Sequence, residues 1–107
     1  MTPESALPDL TAKAVEFITR PGTEQRDQPF FLFPLTAPHT PVAPNEQFKG
    51  KSDAGNYGDF VVETDWVVGE IIRALNDSGL ADDTLLIVTS DNGPERHMIK
   101  RKAEFNL

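Results

Sequence analysis

The sequence predicts an α/β fold: the βαβ portion of a mixed, mostly parallel sheet flanked by helices, incomplete at 107 residues. Two apolar runs without alternation carry the prediction, Phe30-Phe31-Leu32-Phe33 and Thr84-Leu85-Leu86-Ile87-Val88-Thr89. Runs of this kind, the second rich in β-branched residues, read as strands covered on both faces of a parallel sheet. Between them lies a stretch of helical periodicity, and strand, helix, strand in that order is a right-handed crossover unit.

The elements follow in turn. Asp9 is a helix cap for Leu10–Ile18, whose apolar positions 10, 14, 17 and 18 make one stripe, and Arg20-Pro21-Gly22 ends it. A polar loop leads to Pro29 and the first strand. Pro34 to Pro44 holds four of the nine prolines, which disfavours helix and interior strand alike. From about Asp59 to Asp77 the doublets Val61-Val62, Val67-Val68 and Ile71-Ile72 follow a 3.6 period, so a helix is expected despite the branched side chains. Trp66 falls off the main stripe, which implies cover on more than one side. Gly79 is a stop, and Asp82-Asp83 lead into the second strand.

Composition narrows the function. One small domain accounts for the length. A formal charge of -7 argues against general affinity for nucleic acid or anionic membrane. The balance is uneven: Arg96, Lys100, Arg101 and Lys102 face only Glu104 in the last twelve residues, a pattern read as a solvated tail. With no cysteine there is no disulfide, zinc-thiolate site or thiol nucleophile. No signal-peptide pattern and no run of about 20 apolar residues is visible.

Parallel strands end on one edge of their sheet, and open α/β sheets bind ligands past those ends. The loop carrying His39 and the loop carrying Asp91-Asn92 are therefore expected to face one cleft. Asp91 and Asn92 offer a carboxylate and an amide oxygen, hard donors suited to Ca²⁺ or Mg²⁺. His39, the only titratable side chain in the proline-rich loop, can bind an anion or hand a proton to a departing oxygen. Together these groups suit hydrolysis of a sulfate or phosphate ester. Plainer readings stand beside this one. Asn92-Gly93 is a hairpin signal, although Pro94-Glu95-Arg96-His97 does not read as a returning strand. Asp91 can brace a turn, and His39 can be a structural loop residue. His97 reads as a surface residue, and Glu63 and Asp65 as solvent-facing or capping charges.

Phe30-Phe31-Leu32, Leu35-Thr36-Ala37-Pro38-His39-Thr40-Pro41, Tyr57-Gly58, Thr64-Asp65-Trp66-Val67-Val68-Gly69 and Thr89-Ser90-Asp91-Asn92-Gly93-Pro94-Glu95 together resemble the formylglycine-dependent sulfatases. These are arylsulfatase-like members of the alkaline phosphatase superfamily. The resemblance runs from Leu10 to about Phe105 and implies an alkaline-phosphatase-like sheet. It also implies Asp91 and Asn92 as ligands of a divalent cation, usually calcium, and His39 as the histidine that contacts sulfate and assists the leaving group. The departures are specific. The Cys/Ser-x-Pro nucleophile signature, the paired aspartates that complete the metal site, and the lysine of a later Gly-rich segment have no match. The first strand is one residue shorter than the family's run. Residues 1–107 are thus expected to be a single partial sulfatase catalytic domain, a central segment with part of an active site, inactive and poorly soluble alone. The alternatives are a phosphodiesterase or phosphonate hydrolase of the same superfamily, and a non-catalytic cation-binding fragment.

Overall fold

The computed structural model describes residues 1–20 and 33–94. Two helices dominate them, α1 over Ala6–Thr19 and α2 over Gly55–Asp77. Short 3₁₀ turns at Pro3–Ser5, Glu46–Phe48 and Ala81–Asp83 complete the regular structure.

The chain enters α1 earlier than the Asp9 cap implied. Thr2 and Ser5 exchange side-chain and backbone hydrogen bonds in a capping box around the first 3₁₀ turn. Pro8 does not block the helix, because its missing N–H falls in the first turn, where no intrahelical acceptor exists. Asp9 sits in that turn, favourable for the dipole, and accepts the Ser5 hydroxyl at 2.8 Å. The buried stripe is Leu7, Thr11, Ala14 and Ile18, displaced from the expected set; Leu10 and Phe17 are half-buried. Thr11 is tolerated inside because its hydroxyl donates to the Leu7 carbonyl at 2.7 Å. Arg20, which precedes a proline, leaves the helix extended at φ -61° and ψ 145°.

Helix α2 is a continuous 23 residues, about 35 Å at 1.5 Å per residue. It buries Asp59, Phe60, Glu63, Val67, Ile71 and Ala74, one face at helical spacing. Leu7 packs with Phe60 and Val67, while Ala14 and Ile18 pack with Ile71 and Ala74. The N-terminal halves therefore meet each other, as do the C-terminal halves, and the helices run side by side in the same direction. Each large apolar side chain so buried stabilises the pair by about 1.5–3 kcal/mol. Trp66 is covered from a second side, against Phe48, with ring centroids 5.4 Å apart and planes tilted by 55°.

The described residues contain no strand, so the expected sheet is not formed among them. Residues 84–89 follow the 3₁₀ turn without pairing to any described residue, and Leu85, Ile87 and Val88 are 85%, 74% and 64% exposed rather than buried. The reason is physical: a strand exists only through the ladder of a neighbour. The run expected to neighbour it, Phe30–Leu32, lies outside the described residues. Its last member, Phe33, is half-buried against both core clusters.

Candidate active site

His39 sits at the tip of a loop whose two limbs are both fastened to the helix pair. On the way out, Phe33, Leu35 and Ala37 pack against the Leu7–Phe60–Val67 cluster. On the way back, Val42 joins the same cluster and Pro44 is fully buried. The peptide bonds before Pro38 and Pro41 are both cis. The His39 side chain itself is exposed. Its Nδ1 lies 2.7 Å from the Thr40 carbonyl oxygen, which can only accept. Nδ1 therefore donates to that oxygen.

The loop after Thr89 comes to the same place. Leu35–Pro41, Tyr57 and Ser90–Pro94 line one cleft of about 620 Å³, so His39, Asp91 and Asn92 share it. The Ser90 hydroxyl donates to the Asn92 carbonyl at 2.8 Å, and the Asn92 side-chain amide donates to the Gly93 carbonyl at 2.6 Å. With Nδ2 so engaged, Asn92 presents Oδ1 as its acceptor. Among the described residues the Asp91 carboxylate has no hydrogen-bond partner. The turn-bracing reading of Asp91 therefore finds no support there, and the returning segment of the hairpin reading lies outside the described residues. His97, Lys100 and Lys102 lie outside the described residues.

These donors suit a hard cation in kind but fall short in number. A carboxylate and an amide oxygen are what calcium or magnesium takes, yet calcium takes 6–8 oxygens. Among the described residues no three His, Cys, Asp or Glu gather to make a fuller site.

Two buried carboxylates on α2 hold the chain between the His39 loop and the helix. Asp59 accepts the Gly50 and Ser52 amides, each at 2.8 Å, and the Ser52 hydroxyl at 2.9 Å. The Gly50 amide, and after it the Ser52 donors, hold its carboxyl below the usual value against the opposing effect of desolvation. Glu63, expected at the surface, is only 1% exposed. Its Oε2 accepts the Asn45 amide at 2.9 Å, and its Oε1 is buried without a partner among the described residues. Burial pushes its carboxyl up, partly offset by the Asn45 amide. Residue type alone misplaced it; the signal available was register, since 63 lies four residues from both Asp59 and Val67. Asp65 is exposed, as expected. Tyr57, given no role from the sequence, lines the cleft from the first turn of α2.

Comparison with known proteins identifies the family. The sulfatase family profile matches residues 8–106, and the chain belongs to that family. It is similar to N-acetylgalactosamine-6-O-sulfatase of Bacteroides thetaiotaomicron, 43% identical over 86 residues, covering 79% of this chain and 16% of that protein. It is also similar to human steryl-sulfatase, 39% identical over 98 residues, covering 91% of this chain and 16% of the relative. Human arylsulfatase A is 36% identical over 98 residues, 89% of this chain and 19% of the relative. The chain spans about a sixth of the length of the curated relatives it matches. No solved structure matches it. Membership of the family implies an alkaline-phosphatase-like fold. No helix among the described residues is long and apolar enough to cross a membrane.

Proposed function

We propose that these residues are the central segment of the catalytic domain of an arylsulfatase-like sulfuric ester hydrolase and contribute part of its active centre. The carrying observation is the shared cleft: His39, Asp91 and Asn92 come from loops about fifty residues apart and line one cavity. In the whole enzyme, Phe30–Phe33 and Thr84–Thr89 pair as parallel strands with α2 as the crossover helix. That arrangement brings both loops to one sheet edge.

His39 binds the sulfate group and, as imidazolium, gives its Nε2 proton to the ester oxygen as the S–O bond breaks. The Thr40 carbonyl, by holding Nδ1–H, fixes the tautomer and the ring for that transfer. Asp91 and Asn92 would hold a divalent cation, Ca²⁺ with Mg²⁺ as the substitute. The ion when bound supplies positive charge to the sulfate oxygens. The formylglycine nucleophile of the family does not come from a cysteine of these 107 residues, which contain none. No step through it is derived from them.

The test is release of inorganic sulfate from aryl sulfates by the intact protein, against release of phosphate from aryl phosphate diesters. Sulfate release that falls by about 10²–10⁴ in His39→Asn supports the reading. Preference for the diester moves the protein to the phosphodiesterases and phosphonate hydrolases. Cation binding with neither activity leaves a binding fragment.

A further inference from the structure

We propose that Glu63 is a positioning residue for His39, fastening the return limb of the His39 loop to α2 through the backbone amide of Asn45. The proposal rests on the sulfatase reading for the role of His39 but stands on its own geometry.

A carboxyl group 1% exposed in an apolar helix interface is costly, and packing alone favours a leucine or methionine there. The one hydrogen-bond partner Glu63 has among the described residues is the Asn45 N–H, 18 positions earlier in the chain. That amide lies six residues past His39, beyond Pro41 and the fully buried Pro44. Two prolines in the intervening stretch remove two of its free φ angles. A fixed Asn45 is therefore felt at the loop tip with little slack. Asn45 also ties the segment elsewhere: its side-chain amide donates to the Glu4 carbonyl at 3.1 Å, and its Oδ1 accepts the Gln47 amide at 3.3 Å. The N-terminal turn, α2 and the His39 loop thus meet at one residue.

A neutral acceptor performs the same task, because the amide needs an oxygen and not a charge. Glu63→Gln supplies that oxygen, and Glu63→Met fills the volume without it. Asn45 adopts φ -61°, which proline matches, so Asn45→Pro removes the donor itself. Asn45→Ala, which loses the side-chain bonds but keeps the N–H, is its control.

The experiment uses the intact protein and two readouts: steady-state sulfate release, and the imidazole ¹⁵N resonances of His39, assigned by their loss in His39→Asn. Glu63→Met and Asn45→Pro are expected to shift or broaden the His39 signals and to lower kcat at least tenfold with KM changed less than twofold. Glu63→Gln and Asn45→Ala are expected to leave the signals in place and retain most of the turnover. If Glu63→Gln disturbs His39 as much as Glu63→Met does, or if neither Glu63→Met nor Asn45→Pro disturbs it, the proposal is overturned. Should Glu63→Met not fold, Asn45→Pro against Asn45→Ala decides the matter. A wild-type protein that releases no sulfate, yet loses its His39 signals in Asn45→Pro, overturns the sulfatase reading and keeps the clamp.

Discussion

Gly58 on α2 lies so close to Ser52 that a methyl group on it would come within 2.3 Å of the serine Oγ and 2.6 Å of Ala54 Cβ. The same hydroxyl donates to Asp59, so the crowding protects a bond that ties the loop before α2 to the helix. Two effects compete in Gly58→Ala. Alanine favours a helix by about 1 kcal/mol, while overpacking costs about 1–3 kcal/mol and a displaced hydrogen bond to a carboxylate about 1.5–3 kcal/mol. The clash wins, and a net loss of about 2 kcal/mol is expected by urea unfolding. A variant as stable as the parent would show that Ser52 yields without leaving Asp59.

The proposed roles at the cleft separate under calcium. Asp91→Asn removes a formal charge from a two-residue donor set and should weaken calcium binding by on the order of tenfold or more in the intact protein. Its lost turnover should return as the ion is raised. His39→Asn should bind calcium normally by titration calorimetry and gain nothing from excess ion. An Asp91→Asn protein with unaltered calcium affinity would remove Asp91 from the metal site.

Residues 85–88 predict behaviour of the 107-residue chain in solution. Leu85, Ile87 and Val88 are largely exposed, Leu86 is 41% exposed, and their backbone pairs with nothing among the described residues. A short apolar β-prone segment of this kind is a template for self-association. Sedimentation velocity should show association that grows with concentration, and Ile87→Lys should reduce it by interrupting the apolar run. A monodisperse parent chain at about 100 μM would contradict this.

Much of the helical architecture was legible, and the exceptions have separate causes. The doublets of α2 gave its type and its end. Its start at Gly55 was hidden because two glycines open the element, one at φ 64°. Asp9 read as the cap of α1, but the helix starts three residues earlier, because Pro8 in its first turn costs no hydrogen bond. The pairing of His39 with Asp91-Asn92 in one cleft was expected from strand direction, yet the described residues reach it without a ladder. An apolar run reports a tendency to be buried; it does not supply the neighbour. Glu63 was misplaced because charge type outweighed helical register in assigning it to the surface.

Asp59 and Glu63, one turn apart on α2, give opposite pH dependences. The Gly50 amide and Ser52 donors depress the Asp59 carboxyl below its ordinary 3.8. The folded state therefore binds fewer protons at Asp59 than the unfolded chain does. Its stabilisation is complete above about pH 3.8 and is lost as pH falls through the depressed folded value. Burial raises Glu63 above its ordinary 4.5. Its contribution is therefore complete below about pH 4.5 and is lost as pH rises through the raised folded value. Scanning calorimetry from pH 2 to 8 should resolve the two limbs. Asp59→Asn should flatten the acid limb, although the parent remains more stable above pH 4 because the amide nitrogen of asparagine cannot accept all three donors. Glu63→Gln should close on, and then pass, the parent in Tm as pH rises past 4.5, since it keeps the Asn45 bond without the buried charge. If Glu63→Gln instead loses ground to the parent as pH rises, the carboxylate is ionised with a compensating partner, and burial does not set its proton affinity.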